Sequence, residues 1–485
     1  MSARILFTHS YFMRFDPKQW TLKQPYPPLA TILAAAVLRE KGYDVKLFDT
    51  MFVQSPDEII LLLDSFEPDY LVIYDDGFNY LTKMCLTNMR EAAWKMSEYA
   101  HARNCKVIVS SSDSTDHFED YLSNDADFIM LGEAEQTLLE LVSNSESFES
   151  INGLAYKKEN EIVKTNPRTL SKELDSFPMP AWDLVDVEAY RKIWLSRWNY
   201  FALNVATTRG CPYKCNWCAK PIYGNAYNMR SAQHVMNELK FLKEKYNYDK
   251  IWFCDDIFGL RRNWVIEFAE LVKKENLNFR YKIQSRADLL VQDKYVEALA
   301  DSGCYQVWMG AESGSQKILD AMEKGTTVEQ IREANRTLKQ HGIESAFFLQ
   351  FGYLGETIED VKQTIDLLNE CLPEDIGASV SYPLPGTGFY ETVKNDLHKK
   401  SNWTDSDELA LMFKNTYAPE FYKQLHRYVH KNYRKHQAYE AIGTIFSSAP
   451  SFKKLKRAVS VAYYIPTAFI EKQKLKKIEH AAGAL

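Results

Sequence analysis

Long apolar runs are scarce in this sequence. The longest near the C-terminus, Ala458 to Ile470, is broken by Pro466 and is too short to span a bilayer as a helix. The opening residues Met1-Ser2-Ala3-Arg4-Ile5-Leu6-Phe7 pass straight into a strand-like stretch, without the apolar region and small-residue cleavage site of a signal peptide. Cysteine is sparse as well. Eight in 485 residues cannot form a dense disulfide framework, and three lie together while five are scattered. That distribution fits a reducing compartment and one metal-type cluster. These absences predict a soluble, cytoplasmic protein. No DNA-reading module is recognisable, so no nucleic-acid partner is expected.

Apolar residues make up 46% of the chain and charged residues 26%, enough for each of two to four domains to bury a core. Charge is uneven: residues 421–480 hold 13 Lys and Arg against 3 Glu, in a chain of net charge −6. A basic tail can be a solvated helical face, or it can meet phosphates or an anionic membrane surface.

Residues 1–145 alternate strand and helix signals. Strand-like runs are Ile5–Thr8, Val45–Phe48, Tyr70–Tyr74, Val107–Ser110 and Phe128–Leu131, separated by helix-period stretches such as Leu29–Lys41, Met84–Ala102 and Glu135–Ser143. Strict alternation implies right-handed βαβ units and a doubly wound, Rossmann-like α/β sheet, whose ligand end lies beyond the strands' carboxyl ends. Residues 146–198 read as a connector with a short strand at Gly153–Tyr156 and a proline-stiffened link at Leu174–Pro180. A second series fills 199–399. Strands Phe201–Thr207, Lys250–Cys254, Tyr281–Gln284, Gln306–Met309, Ala346–Phe351 and Ile376–Ser381 alternate with amphipathic helices. Six βα repeats fall short of a closed eight-fold barrel and predict a partial (β/α)6 barrel with its chemistry at the strands' C-terminal ends. Residues 400–485 turn aromatic, basic and helical, and are expected to cap the barrel's open side.

Thr208-Arg209-Gly210-Cys211-Pro212-Tyr213-Lys214-Cys215-Asn216-Trp217-Cys218 follows the first strand of the second series. Three thiolates at Cys-x3-Cys-x2-Cys spacing can hold three irons of a cubane and leave the fourth iron open. A zinc site would want a fourth protein ligand. His234 is the nearest candidate, on a helical stretch after a long gap. The other cysteines, 85, 105, 254, 304 and 371, sit in apolar periodic segments and read as buried thiols.

The triplet, with aromatic Trp217 before its last cysteine, resembles the cluster loop of the radical S-adenosylmethionine (SAM) superfamily. In that resemblance Cys211, Cys215 and Cys218 carry a [4Fe–4S] cluster whose free iron binds SAM, and an electron donor such as flavodoxin or ferredoxin reduces it. Later segments are similar to one branch, the cobalamin-binding-domain radical SAM proteins of the class B methylase-like group. Trp252-Phe253-Cys254-Asp255-Asp256 ends the second barrel strand where the group has paired aspartates, and Asp255 or Asp256 could accept hydrogen bonds from SAM or cap the next helix. Gln284-Ser285-Arg286-Ala287-Asp288 matches its Ser-Arg-x-Asp, with the Arg286 fork suited to the SAM carboxylate or to Asp288. Glu312 and Ser313 in Gly310–Ser315, Gly352 in Phe351–Thr357, and the turn Tyr382–Thr387 complete the implied SAM surface, with Leu354 standing where the group has proline.

The N-terminal segment Pro25–Ala30, Leu38–Val45 and Gly132-Glu133-Ala134-Glu135 extend the resemblance to roughly residues 1–395. It implies a cobalamin-binding-type domain, with Asp75, Asp76, Ser111, Ser112, Gly132 and Glu133 in the loops that would face that cofactor. The Asp-x-His-x-x-Gly motif that supplies cobalt with an axial histidine is absent. The resemblance therefore implies a cobalamin-dependent methyltransferase acting on an unactivated carbon of a small-molecule or lipid-like substrate. Its alternatives are a radical SAM cyclase, oxidase or rearrangement enzyme with an altered cobalamin domain, and, from another class, a non-enzymatic cobalamin or iron–sulfur sensor. If the substrate is a lipid, the basic flanks Lys453–Arg457 and Lys472–Lys477 would rest on a membrane.

Overall fold

The computed structural model describes residues 3–144, 147–400, 402–444 and 452–482. Two sheets organise the chain. The first has the order β2-β1-β3-β4-β5-β6-β7. Its strands are β1 (Arg4–Thr8), β2 (Asp44–Phe48), β3 (Tyr70–Tyr74), β4 (Lys106–Ser110), β5 (Phe128–Met130), β6 (Leu154–Lys158) and β7 (Glu161–Lys164). The first five run parallel, and Leu71-Val72-Ile73 of β3 is buried throughout, as expected for a strand covered on both faces. The reversal of direction along the sheet between β1 and β3 places the ligand end beyond Thr8, Tyr74, Ser110 and Met130.

Residues 146–198, expected as a connector, contribute the β6–β7 hairpin to this sheet, antiparallel to β5. The sheet thus extends to Lys164. Its outer strand exposes Glu161 and Lys164, charges that discourage edge-to-edge pairing. The helix Leu29–Glu40 is buried on every side from Leu29 to Leu38, and its run Ala34-Ala35-Ala36 gives it the small girth that such a position requires.

The second sheet is wholly parallel, in the order β15-β14-β13-β12-β11-β8. It comprises β8 (Ala202–Val205), β11 (Lys250–Phe253), β12 (Arg280–Ser285), β13 (Cys304–Glu312), β14 (Glu344–Phe351) and β15 (Asp375–Val380), and a small pair, β9 (Thr208–Arg209) with β10 (Asn228–Met229), stands beside it. Among the described residues β8 and β15 do not pair, so the barrel is partial. Its alternation is informative. Tyr281, Ile283, Val307 and Met309 face the helices and are fully buried, whereas Lys282, Gln284, Gln306 and Trp308 face inward and are only half-buried. An inward face more accessible than the outward one means a hollow lumen.

The long helix Pro419–Gly443 lies beside β15, with Tyr433 donating to the Pro373 carbonyl (2.6 Å) and Arg434 paired with Asp375 (2.8 Å). Helices Phe452–Val459 and Val461–Ala482 pack on it. Phe421, Tyr422, Tyr428 and Tyr433 are buried, while Tyr439 is exposed and Phe446 lies outside the described residues. The helical region begins at Pro419 rather than at 400. Residues 402–413 form an irregular strap in which Trp403 stacks on Tyr382 at 4.5 Å and Asn402 donates to the Cys85 carbonyl at 2.7 Å. Of the basic flank Lys453–Arg457, Arg457 is docked on Glu374 at 2.6 Å. Among the described residues no helix is long and apolar enough to cross a membrane.

Candidate active site at the barrel mouth

The cysteine loop leaves β8 and is fixed by its backbone. Asp255, at the end of β11, accepts from the Thr207 and Thr208 amides (2.7 Å each) and from the Thr207 hydroxyl (2.7 Å). Burial pushes the Asp255 carboxyl up to about 6 in spite of these donors. Gly210 has φ +81°, and a Cβ there would meet the Ala226 carbonyl oxygen at 2.4 Å, so only glycine fits. Lys220 donates to the Cys211 carbonyl (3.0 Å), to the Tyr213 carbonyl and to Asn225 Oδ1 (2.6 Å), cinching the loop on itself. Asn216 ties it to the far side of the barrel through the Ala321 and Met322 carbonyls (2.8 and 3.1 Å).

Cys211, Cys215 and Cys218 are free and half-buried on this loop. Burial raises the thiols of Cys211 and Cys218, the latter to about 12. A bound metal would invert that preference, since metals take the thiolate. The three fit an iron–sulfur cluster better than zinc. Among the described residues no three His, Cys, Asp or Glu side chains are grouped to hold a single ion. His234 is engaged by Arg230 at 3.0 Å and Asp175 at 3.3 Å.

Around the thiols lies a charged, partly unsatisfied shell. The Arg286 guanidinium sits 3.5 Å over the Tyr213 ring, binds Asp288 (2.9 Å) and the Lys324 carbonyl (2.7 Å), and reaches Cys215 Sγ at 3.8 Å. Glu312 pairs with Lys324 at 2.7 Å, both nearly inaccessible to solvent. A register shift in β13 between Gly310 and Glu312 turns this carboxylate, and Glu312 adopts φ +58°, a left-handed conformation that a non-glycine residue rarely holds. Trp217 Nε1 and Thr326 Oγ1 are buried without hydrogen-bond partners. Orphaned buried donors beside an Arg fork and a Lys–Glu pair suit a zwitterionic ligand such as SAM.

Not every residue named from sequence joins this shell. Asp255 serves the loop's backbone, and Asp256 pairs with Lys83 of the first domain. Ser285 shares the helix-facing side of β12 with Tyr281 and Ile283. The Ser313 hydroxyl is held by Thr364 at 3.1 Å, and Gly352 lies under Tyr422 with its amide bound to Glu356 at 2.7 Å.

The ligand end of the first sheet is different in kind. Asp75 accepts from the Ser10 amide (2.7 Å) and hydroxyl (2.8 Å), and Asp76 caps the helix Leu29–Glu40 through the Leu29 and Ala30 amides (3.3 and 3.2 Å). Ser111 caps the short helix beginning at Ser112. Gly132 faces the Ile222 carbonyl, and Glu133, with Glu135, grips the buried Arg209. His9 is held by Asp49 at 3.0 Å and by Thr50. Asp75, Asp76, Ser111 and Glu133 therefore bind protein, while Ser112 lines, with Asp75, Ser110 and Ser111, a small cavity against Ile222 and Tyr223. The loops carrying Tyr26 and Tyr80 approach Trp252 of β11 at 4.8 and 6.3 Å and so meet the lumen.

The Arg209 pair is a contact that sequence reasoning missed. Its guanidinium stands 4.4 Å over Phe177, and its carboxylate partners lie 76 and 74 positions earlier in the chain. Lys83, Lys220 and Lys324 were missed as well, since an isolated lysine carries no pattern.

Residues 205–368 match the family model described as the Radical SAM superfamily. An uncharacterized methyltransferase of Pyrococcus horikoshii is 28% identical over 78% of this chain and 81% of its own length. An anaerobic magnesium-protoporphyrin IX monomethyl ester cyclase of Synechocystis is 25% identical over 76% of this chain and 73% of its own. Among solved structures, the cobalamin-dependent S-adenosylmethionine radical enzyme OxsB with aqua-cobalamin bound superposes with a TM-score of 0.76, covering 97% of this chain and 72% of that one at 17% identity. The α/β architecture, with a Rossmann-like N-terminal sheet followed by the barrel, is thus shared across nearly the whole chain.

Proposed function

With the chain a member of the radical SAM superfamily, we propose that Cys211, Cys215 and Cys218 hold a [4Fe–4S] cluster and that the protein methylates an unactivated carbon with cobalamin as methyl carrier. A [4Fe–4S] cluster held there would supply the electron that cleaves SAM to methionine and a hydrogen-abstracting 5′-deoxyadenosyl radical, and cobalamin would supply the methyl group. The observation that carries the reading is the set of three free thiols on a backbone-fixed loop beside Arg286, the Glu312–Lys324 pair and the unpartnered Trp217 indole.

The chain's own residues bind and position. Arg286 offers a fork to the SAM carboxylate, Glu312 accepts from the SAM ammonium or ribose, and Trp217 Nε1 and Thr326 Oγ1 complete the shell. Asp255 and Lys220 hold the thiols in register, and the strap at 402–413 with Tyr382 excludes water from the mouth. Cobalamin would lie where the first sheet's carboxyl end meets the barrel mouth, at the cavity that Asp75, Ser110, Ser111 and Ser112 line with Ile222 and Tyr223. Asp76 and Glu133 serve as scaffold.

Anaerobic reconstitution tests this directly: about four irons per chain, with 5′-deoxyadenosine formed from SAM and reductant, are expected. Zinc without iron would sink it. Cobalamin is expected base-off, because His9 is engaged and no histidine motif is present. The commitment of Asp75, Asp76 and Glu133 to protein partners and the cyclase relative favour a second reading, a radical cyclisation or oxidation without methyl transfer. Reconstituted protein that forms 5′-deoxyadenosine but takes up no cobalamin would establish that one instead.

A further inference from the structure

The barrel lumen contains a cation without an anion. Lys282 stands at the middle of β12, in register with Trp252 of β11 and Gln306 of β13. Its ammonium lies 5.3 Å from the ring of Tyr26 and 5.4 Å from that of Trp252. It makes no hydrogen bond or ion pair with any described residue. The neighbouring polar groups are already committed: Gln306 donates to Glu344 (3.3 Å) and accepts from Trp308 Nε1 (3.1 Å), and Asp256 at the rim holds Lys83. Lys250 lies 3.8 Å over Tyr200 and 4.2 Å over Tyr305. Burial, with Lys250 nearby, brings the Lys282 amine down to about 8. Two aromatic faces offset part of the cost of hiding an ammonium, but they leave its N–H donors unused.

We propose that Lys282 anchors an anionic group of the substrate, a carboxylate or phosphate, inside the lumen beside the paired rings of Tyr26 and Trp252. The assignment rests on the reading of the lumen as the substrate's seat. Tyr26 belongs to the first domain, so this seat exists only where the two domains meet.

The test uses reconstituted full-length protein and three probes of similar shape: phenylacetate, phenyl phosphate and neutral phenylacetamide. Protection of Lys282 from acetylation is read by peptide mass spectrometry, and affinity by equilibrium dialysis. At least one anion is expected to protect Lys282 and to bind roughly ten- to a hundredfold more tightly than the amide. Preference between the two anions identifies the head group. K282M should lose the anion preference and K282R should retain it. Equal or undetectable protection by all three probes, or an undiminished preference in K282M, overturns the anchor. If K282M does not fold, the wild-type protection data decide. The underlying reading fails separately, when wild-type protein with SAM and reductant forms no 5′-deoxyadenosine.

A different observation carries a second inference. The helix Phe452–Val459 is amphipathic with its apolar side outward: Phe452, Leu455 and Val459 are 83%, 47% and 68% exposed, while Arg457 is docked inward on Glu374. The next helix continues the strip with Tyr463, Phe469 and Ile470, then exposes Lys472, Lys476 and Lys477. Two copies apposed through this face would bring like charges together. The structure assigns this strip to an anionic lipid surface, which meets both its apolar and its cationic parts. Flotation with phosphatidylcholine vesicles should require added phosphatidylglycerol and weaken with salt, and V459S/F469S should abolish it. No binding, or a wild-type dimer that V459S/F469S converts to monomer, would overturn the assignment.

Discussion

The carboxyl ends of the two sheets face each other, yet they are finished differently. At the first sheet almost every polar group has a protein partner: Asp75 with Ser10, Asp76 with a helix end, Asp113 with Arg90 at 2.6 Å. At the barrel mouth the Trp217 indole, Thr326 and, among the described residues, the lumen ammonium of Lys282 have no hydrogen-bond partner, and the three thiols have at most weak ones, Arg286 on Cys215 at 3.8 Å and Cys218 on the Ala219 carbonyl at 4.0 Å. Buried polar groups are rarely left unpaired unless something else pairs them. The unpaired groups of the barrel mouth are therefore the ones a ligand would complete.

The largest effect should come from the unfinished end. Replacing Cys211, Cys215 and Cys218 together by alanine is expected to abolish iron binding and 5′-deoxyadenosine formation while the unfolding midpoint of the metal-free protein barely moves, as iron assay and calorimetry will show. At the finished end the order reverses. Arg209→Met strands the buried Glu133 and Glu135 and should cost about 3–5 kcal/mol in denaturant unfolding. Adding Glu133→Gln and Glu135→Gln should recover much of that loss, because no charge is then left unpaired.

Acid should divide the C-terminal helix from the sheet ends. Burial, with Lys18 beside both rings, lowers His426 and His430 to about 4 and about 3. Asp407 and Arg427 also act on His426, and His426 and Arg434 on His430. Their stabilisation is present above pH 6.5 and is lost as pH falls toward 4, at a cost of about 2 kcal/mol after allowance for partial exposure. Asp75 has the opposite sign. Its carboxyl is raised to about 6 by burial, so its contribution is full below pH 4 and fades as pH rises through 6. Hydrogen exchange at pH 7 and pH 5 should show the Pro419–Gly443 helix opening on acidification while the β1 and β3 loops tighten. The smallest effect is Ser111→Ala, which removes a helix cap and should cost about 1 kcal/mol without changing iron content.

What could be read from the sequence was local. The cysteine loop declares itself in eight residues, and strand–helix alternation fixes both sheets. Asp255 and Arg286 were locatable at strand ends for the same reason, but their direction was not: Asp255 turns back onto the Thr207 and Thr208 amides. The β6 strand was legible at Gly153–Tyr156, but its partner β7 hid in a polar stretch whose exposed edge has little apolar signal. Pairs such as Arg209 with Glu133, or Lys83 with Asp256, depend on how two domains meet, and no periodicity announces them.

Arg209 stands two positions before Cys211, so the cysteine loop takes its bearings from another domain's glutamates as well as from its own barrel. Sheet and barrel are consequently not interchangeable parts. A chimera that grafts this barrel onto a relative's N-terminal domain will seat its cysteines correctly only if the donor sheet brings acidic residues at the Glu133 and Glu135 positions. A graft lacking them should recover its iron when those two side chains are transplanted alone.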